Sequence, residues 1–248
     1  MKDERKKRRK KRINPFLVLF LILIISIGLL IFSRSNVFQV KKFVIEGNVY
    51  YTDEEIRIMG GCEKGANLFW GINCGEIKSR LEQDTYMKNV SVHRSLPDTI
   101  KISVSERKQL GAIVYGEQYV VIDSSGIVLR KVSSAPRVTI IKGLTISKLS
   151  VGEKIEIEEN LKYRQVLQLL TAADKNDMYF TKIEVKKSKF RAYVLDNLYC
   201  DGTASNMIEA VQEEKVQQVV NELFDRNIER GKIQISGNKY ISFTPKID

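Results

Sequence analysis

The most continuous pattern in the chain is an apolar run from Phe16 to Phe32, interrupted only by Ser26 and Gly28. With its flanking residues the run has about 20 positions, enough for a helix that spans a hydrocarbon core of about 30 Å. In a helix the backbone N–H and C=O groups also form hydrogen bonds with one another, so they need no water in the hydrocarbon core. The run is longer than the core of a cleavable signal and is not followed by an Ala-x-Ala pattern. We therefore predict an uncleaved transmembrane helix over 13–33.

Nine basic residues lie between Lys2 and Arg12, ahead of this run. Without them and the acidic Asp3 and Glu4, only about +4 remains of the formal net charge of +11. A cationic block beside a membrane span stays on the cytoplasmic side and contacts anionic headgroups, whereas nucleic-acid binding needs basic residues on a folded face. We predict a cytoplasmic tail over 1–12, the lipid bilayer as its partner, no nucleic-acid binding, and an extracytoplasmic location for the bulk of the chain.

The region after the predicted span carries the pattern of a mixed sheet-and-helix module. Its elements are a strand over Val40–Glu46, a helix opened by the capping-box sequence Thr52–Glu55, a helix from Asn73, and two alternating strands around Val92 and Ile102. One face of each of the last two strands is apolar and the other polar, as in a sheet covered on one side. The predicted order is β-α-α-β-β in about 70 residues.

The remaining residues alternate short apolar strands with two helical patterns, over 158–173 and 206–229. The final strand pattern is Lys239–Thr244. The fold class predicted for the whole chain is α+β: one N-terminal transmembrane helix, the β-α-α-β-β module, and a second β-rich domain with helices packed on a mainly antiparallel sheet.

Five segments of the first module carry motif-like sequence: Phe43–Asn48, Tyr51–Ile56, Gly65–Phe69, Val90–Pro97 and Ile100–Arg107. The last two contain V-x-V-x-R-x-L-P and I-x-V-x-E-R, a fairly specific pair after a short basic tail and one span. Together the five segments resemble the POTRA domain of the bacterial division proteins FtsQ and DivIB. The resemblance implies a POTRA domain over 37–107 and a β domain over 108–248. The positions that carry the motif are Gly47, Asn48, Asn67, Leu68, Phe69, Arg94, Pro97, Glu106 and Arg107.

The resemblance also implies a function at the division septum. Members of the family bind small bitopic coiled-coil division proteins, FtsB/DivIC-like and FtsL-like, through the β domain, and they regulate septal peptidoglycan synthesis without catalysing it. An unpaired edge strand can add a strand from a partner. Two edges are candidates, an edge strand of the POTRA domain and the C-terminal strand. The candidate partner-binding residues belong to the C-terminal strand and are Lys239, Tyr240, Ile241, Ser242, Phe243 and Thr244. Tyr240 and Phe243 are either anchors for a partner or ordinary packing residues, and the pattern leaves both alternatives open.

The sequence predicts no catalytic residue, no cofactor and no metal site. The only histidine, His93, falls on the polar face of a predicted strand, and three cysteines are too few for a disulfide scaffold or a zinc site. Cys62 and Cys74 are spaced so that they could pair, which stays open. We expect a non-catalytic scaffold; the alternatives are a POTRA-bearing export or envelope-assembly component and a membrane-anchored envelope enzyme.

Overall fold

The computed structural model describes residues 15–237 and 240–245. The predicted tail over 1–12 and Lys239 lie outside the described residues. The chain divides into two units: the first holds the chain up to Glu82 together with Asn89–Ser105, and the second holds Gln83–Lys88 and the chain from Glu106 onward. The domain boundary that we place after Arg107 stays a prediction.

The first helix, α1, covers Pro15–Ser33. Its 19 residues give a length of about 29 Å, and none of its side chains is buried. Among the described residues it is the one helix that is long and apolar enough to cross a membrane. A helix that is apolar on all sides and has no buried side chain is suited by its composition to an apolar surrounding. The residues that precede Pro15 in the predicted span lie outside the described part of the chain.

The rest of the first unit is a three-stranded sheet with two helices. The elements are β1 (Lys42–Glu46), α2 (Asp53–Met59), α3 (Cys74–Glu82), β2 (Met87–Ser95) and β3 (Thr99–Glu106). The strands are ordered β1-β3-β2, and β1 runs parallel to β3 with Phe43 opposite Ile100. This confirms the predicted β-α-α-β-β order.

Local side-chain bonds explain where both helices of the first unit begin. The Thr52 hydroxyl accepts from the Glu55 amide, and the Glu55 carboxylate accepts from the Thr52 amide at 2.8 Å, so the predicted capping box is confirmed. The Asn73 side chain accepts from the amides of Gly75 and Glu76 at the start of α3. Both helices then bury apolar side chains, among them the fully buried Ile56 of α2.

The second unit is built on a nine-stranded sheet. Its strands are β4 (Gly111–Tyr115), β5 (Gln118–Ile122), β6 (Val128–Val132), β7 (Thr139–Lys142), β10 (Lys182–Val185), β11 (Phe190–Leu195), β12 (Leu198–Gly202), β13 (Gly231–Ile235) and β14 (Ile241–Pro245). A separate pair is formed by β8 (Ile146–Lys148) and β9 (Glu156–Ile157). The helices are α4 (Asn160–Lys175), α5 (Ala204–Gln212) and α6 (Lys215–Asp225).

The large sheet has the order β14-β13-β12-β11-β10-β7-β4-β5-β6. Five of its eight pairings are antiparallel, and the parallel ones are β12 with β13, β10 with β7, and β4 with β7. The predicted mainly antiparallel sheet is therefore confirmed. The three helices and the strands enclose one continuous apolar core, in which Leu169, Ile183, Met207, Val216 and Ile233 are fully buried.

The single helix predicted over 206–229 is wrong, because the structure contains α5 and α6 with a break between them. Glu214 adopts a left-handed conformation with φ of 59° and interrupts the helical backbone. The two buried faces explain the break: Val211 and Val216 are five positions apart, so an unbroken helix would turn them about 140° away from each other. The turn allows both valines to be buried in the core.

The break predicts how glycine substitutions in this region affect stability. A non-glycine residue pays about 1 kcal/mol for the left-handed conformation, so Glu214→Gly should be neutral or stabilising. Gln212→Gly, two residues earlier in α5, should cost up to about 1 kcal/mol because glycine is a poor helix former. We expect amide exchange in α5 and α6 to be about fivefold faster in Gln212→Gly than in Glu214→Gly. Equal exchange in the two variants would contradict the assignment of strain to Glu214.

Candidate partner-binding edge

The strand β14 forms one end of the nine-stranded sheet, and no strand flanks its outer side within the described part of the chain. Its inner side pairs with β13, with Phe243 opposite Ile233 and Ser242 opposite Gln234. The Ser236 amide donates to the Tyr240 carbonyl at 3.0 Å, just before the strand. Ser236 and Tyr240 are thus a hydrogen-bonded pair of the antiparallel ladder, in which such pairs alternate with non-bonded ones.

The alternation shows which backbone groups of β14 face outward. Ser242 and Thr244 are in phase with Tyr240 and bond to β13, so the N–H and C=O groups of Ile241 and Phe243 point to the open side. Pro245 is in the outward phase as well, where its missing N–H costs the ladder nothing. The edge therefore presents backbone groups in the spacing that an added strand requires.

The side chains of β14 alternate between the apolar core and solvent. Ile241 and Phe243 are partly buried against the core, whereas Ser242 and Thr244 are exposed. Tyr240 has an exposed fraction of 74%. Of the two aromatic residues whose role the sequence left open, Phe243 packs into the unit and Tyr240 extends into solvent. Lys239, the first residue of the predicted strand, lies outside the described residues.

A glycine on the neighbouring strand makes room for the Phe243 ring. Gly231 has φ of +146°, and a Cβ placed on it would collide with the ring of Phe243 and lie 2.8 Å from the Thr244 carbonyl oxygen. The sequence suggests Gly231 as the end of a long helix, but α6 ends at Asp225 and Gly231 begins β13. Its actual role is to let the edge strand lie closely against the sheet.

A cluster of charges lies next to the edge, on the strands β11 to β13. Asp201 is completely buried, and its Oδ2 accepts from Lys189 Nζ and from Arg191 Nη2, each at 3.0 Å, with Lys232 Nζ at 3.9 Å. Burial alone would raise the pKa of Asp201, but the hydrogen bonds from Lys189 and Arg191 hold it below its ordinary value of 3.8. The buried carboxylate is thus ionised and joins three strands.

Aromatic rings extend this cluster across the same strands. Tyr193 and Tyr199 face each other across β11 and β12 with ring centroids 5.5 Å apart. Lys182 Nζ lies 3.9 Å from the Tyr193 ring centroid, and the Arg191 guanidinium lies 4.3 Å from that of Tyr199. Sequence reasoning missed this surface. The only signal in the sequence was that Arg191 alternates with Tyr193 and Tyr199 with Asp201. These four residues come together only when β11 and β12 pair.

Most of the POTRA-like motif positions have structural roles in the first unit. Gly47 has φ of +87°, and a Cβ there would collide with the Val104 carbonyl. Asn48 donates from Nδ2 to the Tyr51 carbonyl and to Asp53, both at 2.9 Å, which fixes the approach to α2.

Arg94 ties strand β2 to the loop before α3. It donates from Nε to the Leu68 carbonyl and from Nη2 to the Ile72 carbonyl, both at 2.7 Å. Leu68 itself is fully buried. Pro97 is exposed in the turn between β2 and β3.

The final motif pair closes the strand β3. Glu106 is its last residue. Arg107 donates to the Oδ2 of the buried Asp123 at 2.8 Å, within the second unit. The other carboxylate oxygen of Asp123 accepts from the amides of Ser125 and Ile127, so this ion pair organises the turn between β5 and β6.

The described residues contain no group of three or more His, Cys, Asp and Glu side chains that could hold a metal ion. Cys62, Cys74 and Cys200 are free thiols, and burial raises the pKa of Cys200 to about 12, so that it is protonated at neutral pH. His93 is exposed on β2, as its position in the strand pattern predicts. Within the described residues, the remaining candidate feature is the open edge of β14, which ends the nine-stranded sheet.

Comparison with known proteins finds similarity to bacterial cell division proteins. The family described as "POTRA domain, FtsQ-type" matches residues 38–107. The cell division protein DivIB of Clostridium acetobutylicum is 28% identical over 203 residues, covering 80% of each chain. DivIB of Bacillus subtilis is 20% identical over 202 residues, covering 79% of this chain and 71% of the relative. The similarity thus extends well past the POTRA-like residues.

One similar solved structure is the major extracytoplasmic domain of the cell division protein DivIB from Geobacillus stearothermophilus. It is 12% identical and is matched over 50% of this chain and 98% of its own, with a TM-score of 0.32. That score is too low to carry a structural inference.

The contact between Gly231 and Phe243 predicts a way to loosen the edge strand. Gly231→Ala should displace the Phe243 ring and the Thr244 carbonyl, at a cost of about 1–3 kcal/mol. Amide exchange in β14 should then rise by about tenfold or more. Gly237→Ala is the matched control, because among the described residues its Cβ would meet only the side-chain Nδ2 of Asn206, at 3.9 Å. Unchanged protection of β14 in Gly231→Ala would show that the close approach is not required.

The charge cluster predicts a pH-dependent effect of Asp201→Asn. The variant leaves Lys189 and Arg191 without their carboxylate and should lower the free energy of unfolding by about 2 kcal/mol near neutral pH. Because the pKa of Asp201 is depressed in the folded state, its contribution is present above its ordinary pKa and is lost as the pH falls through the folded value. The difference from the parent protein should therefore shrink below about pH 4.

Urea unfolding of the chain in detergent, at neutral and acidic pH, measures this effect. Asp196→Asn, in the exposed turn between β11 and β12, should leave stability almost unchanged at either pH. A cost for Asp201→Asn that is the same at both pH values would rule out the ionised pair as its source.

Proposed function

We propose that this chain belongs to the DivIB family of bacterial cell division proteins and is a non-catalytic membrane-anchored scaffold that binds small bitopic division proteins outside the membrane. The observation that carries the proposal is the open edge of β14. A partner strand that pairs with it gains backbone hydrogen bonds along its length, while side chains such as the exposed Tyr240 select the sequence. No covalent chemistry is needed for this role.

The anchor in this proposal is α1, which crosses the cell membrane once. The basic residues of 1–12 then remain in the cytoplasm by the positive-inside rule, and the POTRA domain over 37–107 and the β domain over 108–248 lie on the outer side. One N-terminal apolar helix and the similarity to DivIB are consistent with a single-pass protein at the division septum.

The proposed partners are FtsB/DivIC-like and FtsL-like proteins, which themselves cross the membrane once. A partner held in the same membrane explores only a thin layer near the scaffold, so a moderate affinity at β14 suffices for assembly. Binding them near the site of septal peptidoglycan synthesis provides the regulatory role, with the synthesis itself carried out by other proteins.

The proposal predicts that covalent capture in dividing cells depends on position in the sheet. A photocrosslinking amino acid at Ser242 or Thr244 should capture a small single-span division protein. The same group at Lys131, exposed on β6 at the opposite end of the strand order, should not. Capture of the same partners from all three positions, or from Lys131 alone, would refute binding at the β14 edge.

The same edge can be blocked by charge. Ser242→Lys combined with Thr244→Lys places like charges along the strand, a device that sheets use against strand addition, and should reduce partner recovery by about tenfold or more. Cells depleted of the protein should form filaments that the parent chain and Lys131→Ala rescue and the double-lysine variant does not. Normal division after depletion would refute the division role itself.

A further inference from the structure

The chain leaves α1 through a short connection that is fixed to the first unit by its backbone. The Arg34 amide bonds back to the Ile31 carbonyl at 3.2 Å, and 36–38 form a single 3-10 turn. The Leu68 amide then donates to the Phe38 carbonyl at 2.7 Å, and the Val40 amide donates to the Ala66 carbonyl at 2.9 Å. The loop 65–71 is thus attached to the residues that follow the helix.

Two side chains of this loop donate hydrogen bonds to the last residue of α1. Asn67 donates from Nδ2 to the Ser33 carbonyl, and Trp70 donates from its indole Nε1 to the Ser33 hydroxyl, both at 3.0 Å. The Asn67 Oδ1 in turn accepts from the amides of Phe69 and Trp70, at 3.0 and 3.2 Å. These bonds hold the indole of Trp70 at the level of the helix end.

Aromatic contacts continue from the helix onto the loop. Phe32, in the last turn of α1, meets Phe38 edge-to-face with centroids 5.3 Å apart, and Phe38 meets Phe69 at 5.1 Å. The Arg34 guanidinium lies 5.6 Å from the Trp70 ring centroid. The surface therefore combines aromatic rings with one cation at the boundary of an apolar helix.

Much of this aromatic surface is exposed in the described part of the chain. The exposed fraction is 58% for Trp70, 41% for Phe69 and 49% for Val37. Apolar side chains that cluster on a surface mark an interaction site. Tryptophan next to an arginine at the end of an apolar helix is the composition found where proteins meet the headgroup region of a bilayer.

We propose that the loop 65–71 is a second membrane contact, with Phe69 and Trp70 inserted at the boundary between headgroups and acyl chains of the phospholipid leaflet in which α1 ends. Arg34 faces the lipid phosphates beside them. The inference rests on the proposed membrane span of α1, since the bonds to Ser33 place the loop at whatever depth the helix ends. The first unit is then held on the membrane by a surface as well as by its connecting chain.

The fluorescence of the protein tests this proposal without any substitution, because Trp70 is the only tryptophan in the chain. The full chain is reconstituted in phosphatidylcholine vesicles containing lipid brominated either near the ester end or near the methyl end of the acyl chain. We expect bromines near the ester end to quench the Trp70 fluorescence about twofold more strongly than bromines near the methyl end. Aqueous iodide should quench it only weakly, because the indole lies in the interface.

A matched reporter is provided by Val49→Trp in a Trp70→Phe background. Val49 has an exposed fraction of 93% and follows the carboxyl end of β1, the end more distant from Ser33 in the sequence. Iodide should quench the fluorescence of the tryptophan at position 49, and neither brominated lipid should change it. If Trp70 behaves in the same way as this reporter, the second membrane contact does not exist.

Vesicle flotation after an alkaline wash separates this proposal from the proposed span. A chain that is stripped from the vesicles would refute the membrane span of α1. A chain that floats while Trp70 remains accessible to iodide would keep the span and refute the contact by the loop. Quenching that is strongest near the methyl end would also refute it, because the indole would then lie in the hydrocarbon core.

Discussion

The need of every buried backbone N–H and C=O for a hydrogen-bonding partner governs the whole structure. The first helix meets that need within itself, which allows Pro15–Ser33 to expose apolar side chains on every side. The two units meet it by pairing strands, and the second pairs nine of them in one sheet. A sheet that does not close leaves two edges, and at β14 the outward groups of Ile241 and Phe243 have no strand beside them in the described part of the chain. An edge of this kind is where a sheet can accept a further strand.

The edge strand is held in place by contacts within the sheet behind it. Phe243 packs over Gly231, which has no side chain to prevent the close approach. On the neighbouring strands, the buried Asp201 accepts hydrogen bonds from Arg191 on β11 and from Lys189 just before β11. A buried charge is tolerated only when it is paired and hydrogen-bonded in this way. A strand held in place in this way presents its outer groups with little loss of conformational entropy on binding, which favours affinity for the same number of bonds.

Local signals in the sequence were sufficient for much of the fold. Thr52 and Glu55 determine the start of α2 through bonds within four residues, and the uninterrupted apolar run determines α1, so both were predictable. The position of β14 at the end of the chain was also indicated by its alternating pattern. The break at Glu214 was not, since it depends on burying Val211 and Val216 against strands that are distant in sequence. The cluster around Asp201 could not be predicted either, because its members come together only through the pairing of β11, β12 and β13.

The same distinction explains why Asn67 and Trp70 were only partly understood from the sequence. Asn67 was recognised as a motif position, but its bond to Ser33 joins residues 34 positions apart, and no local pattern reveals such a contact. The bond changes the physical meaning of the connection after α1. A flexible linker would leave the first unit free to rotate relative to α1. Here backbone hydrogen bonds, two side-chain hydrogen bonds to Ser33 and edge-to-face aromatic contacts restrict that rotation. The first unit is thus attached to the end of α1 by specific contacts rather than by a free linker, and the second unit leaves the outer side of β14 open within the described part of the chain.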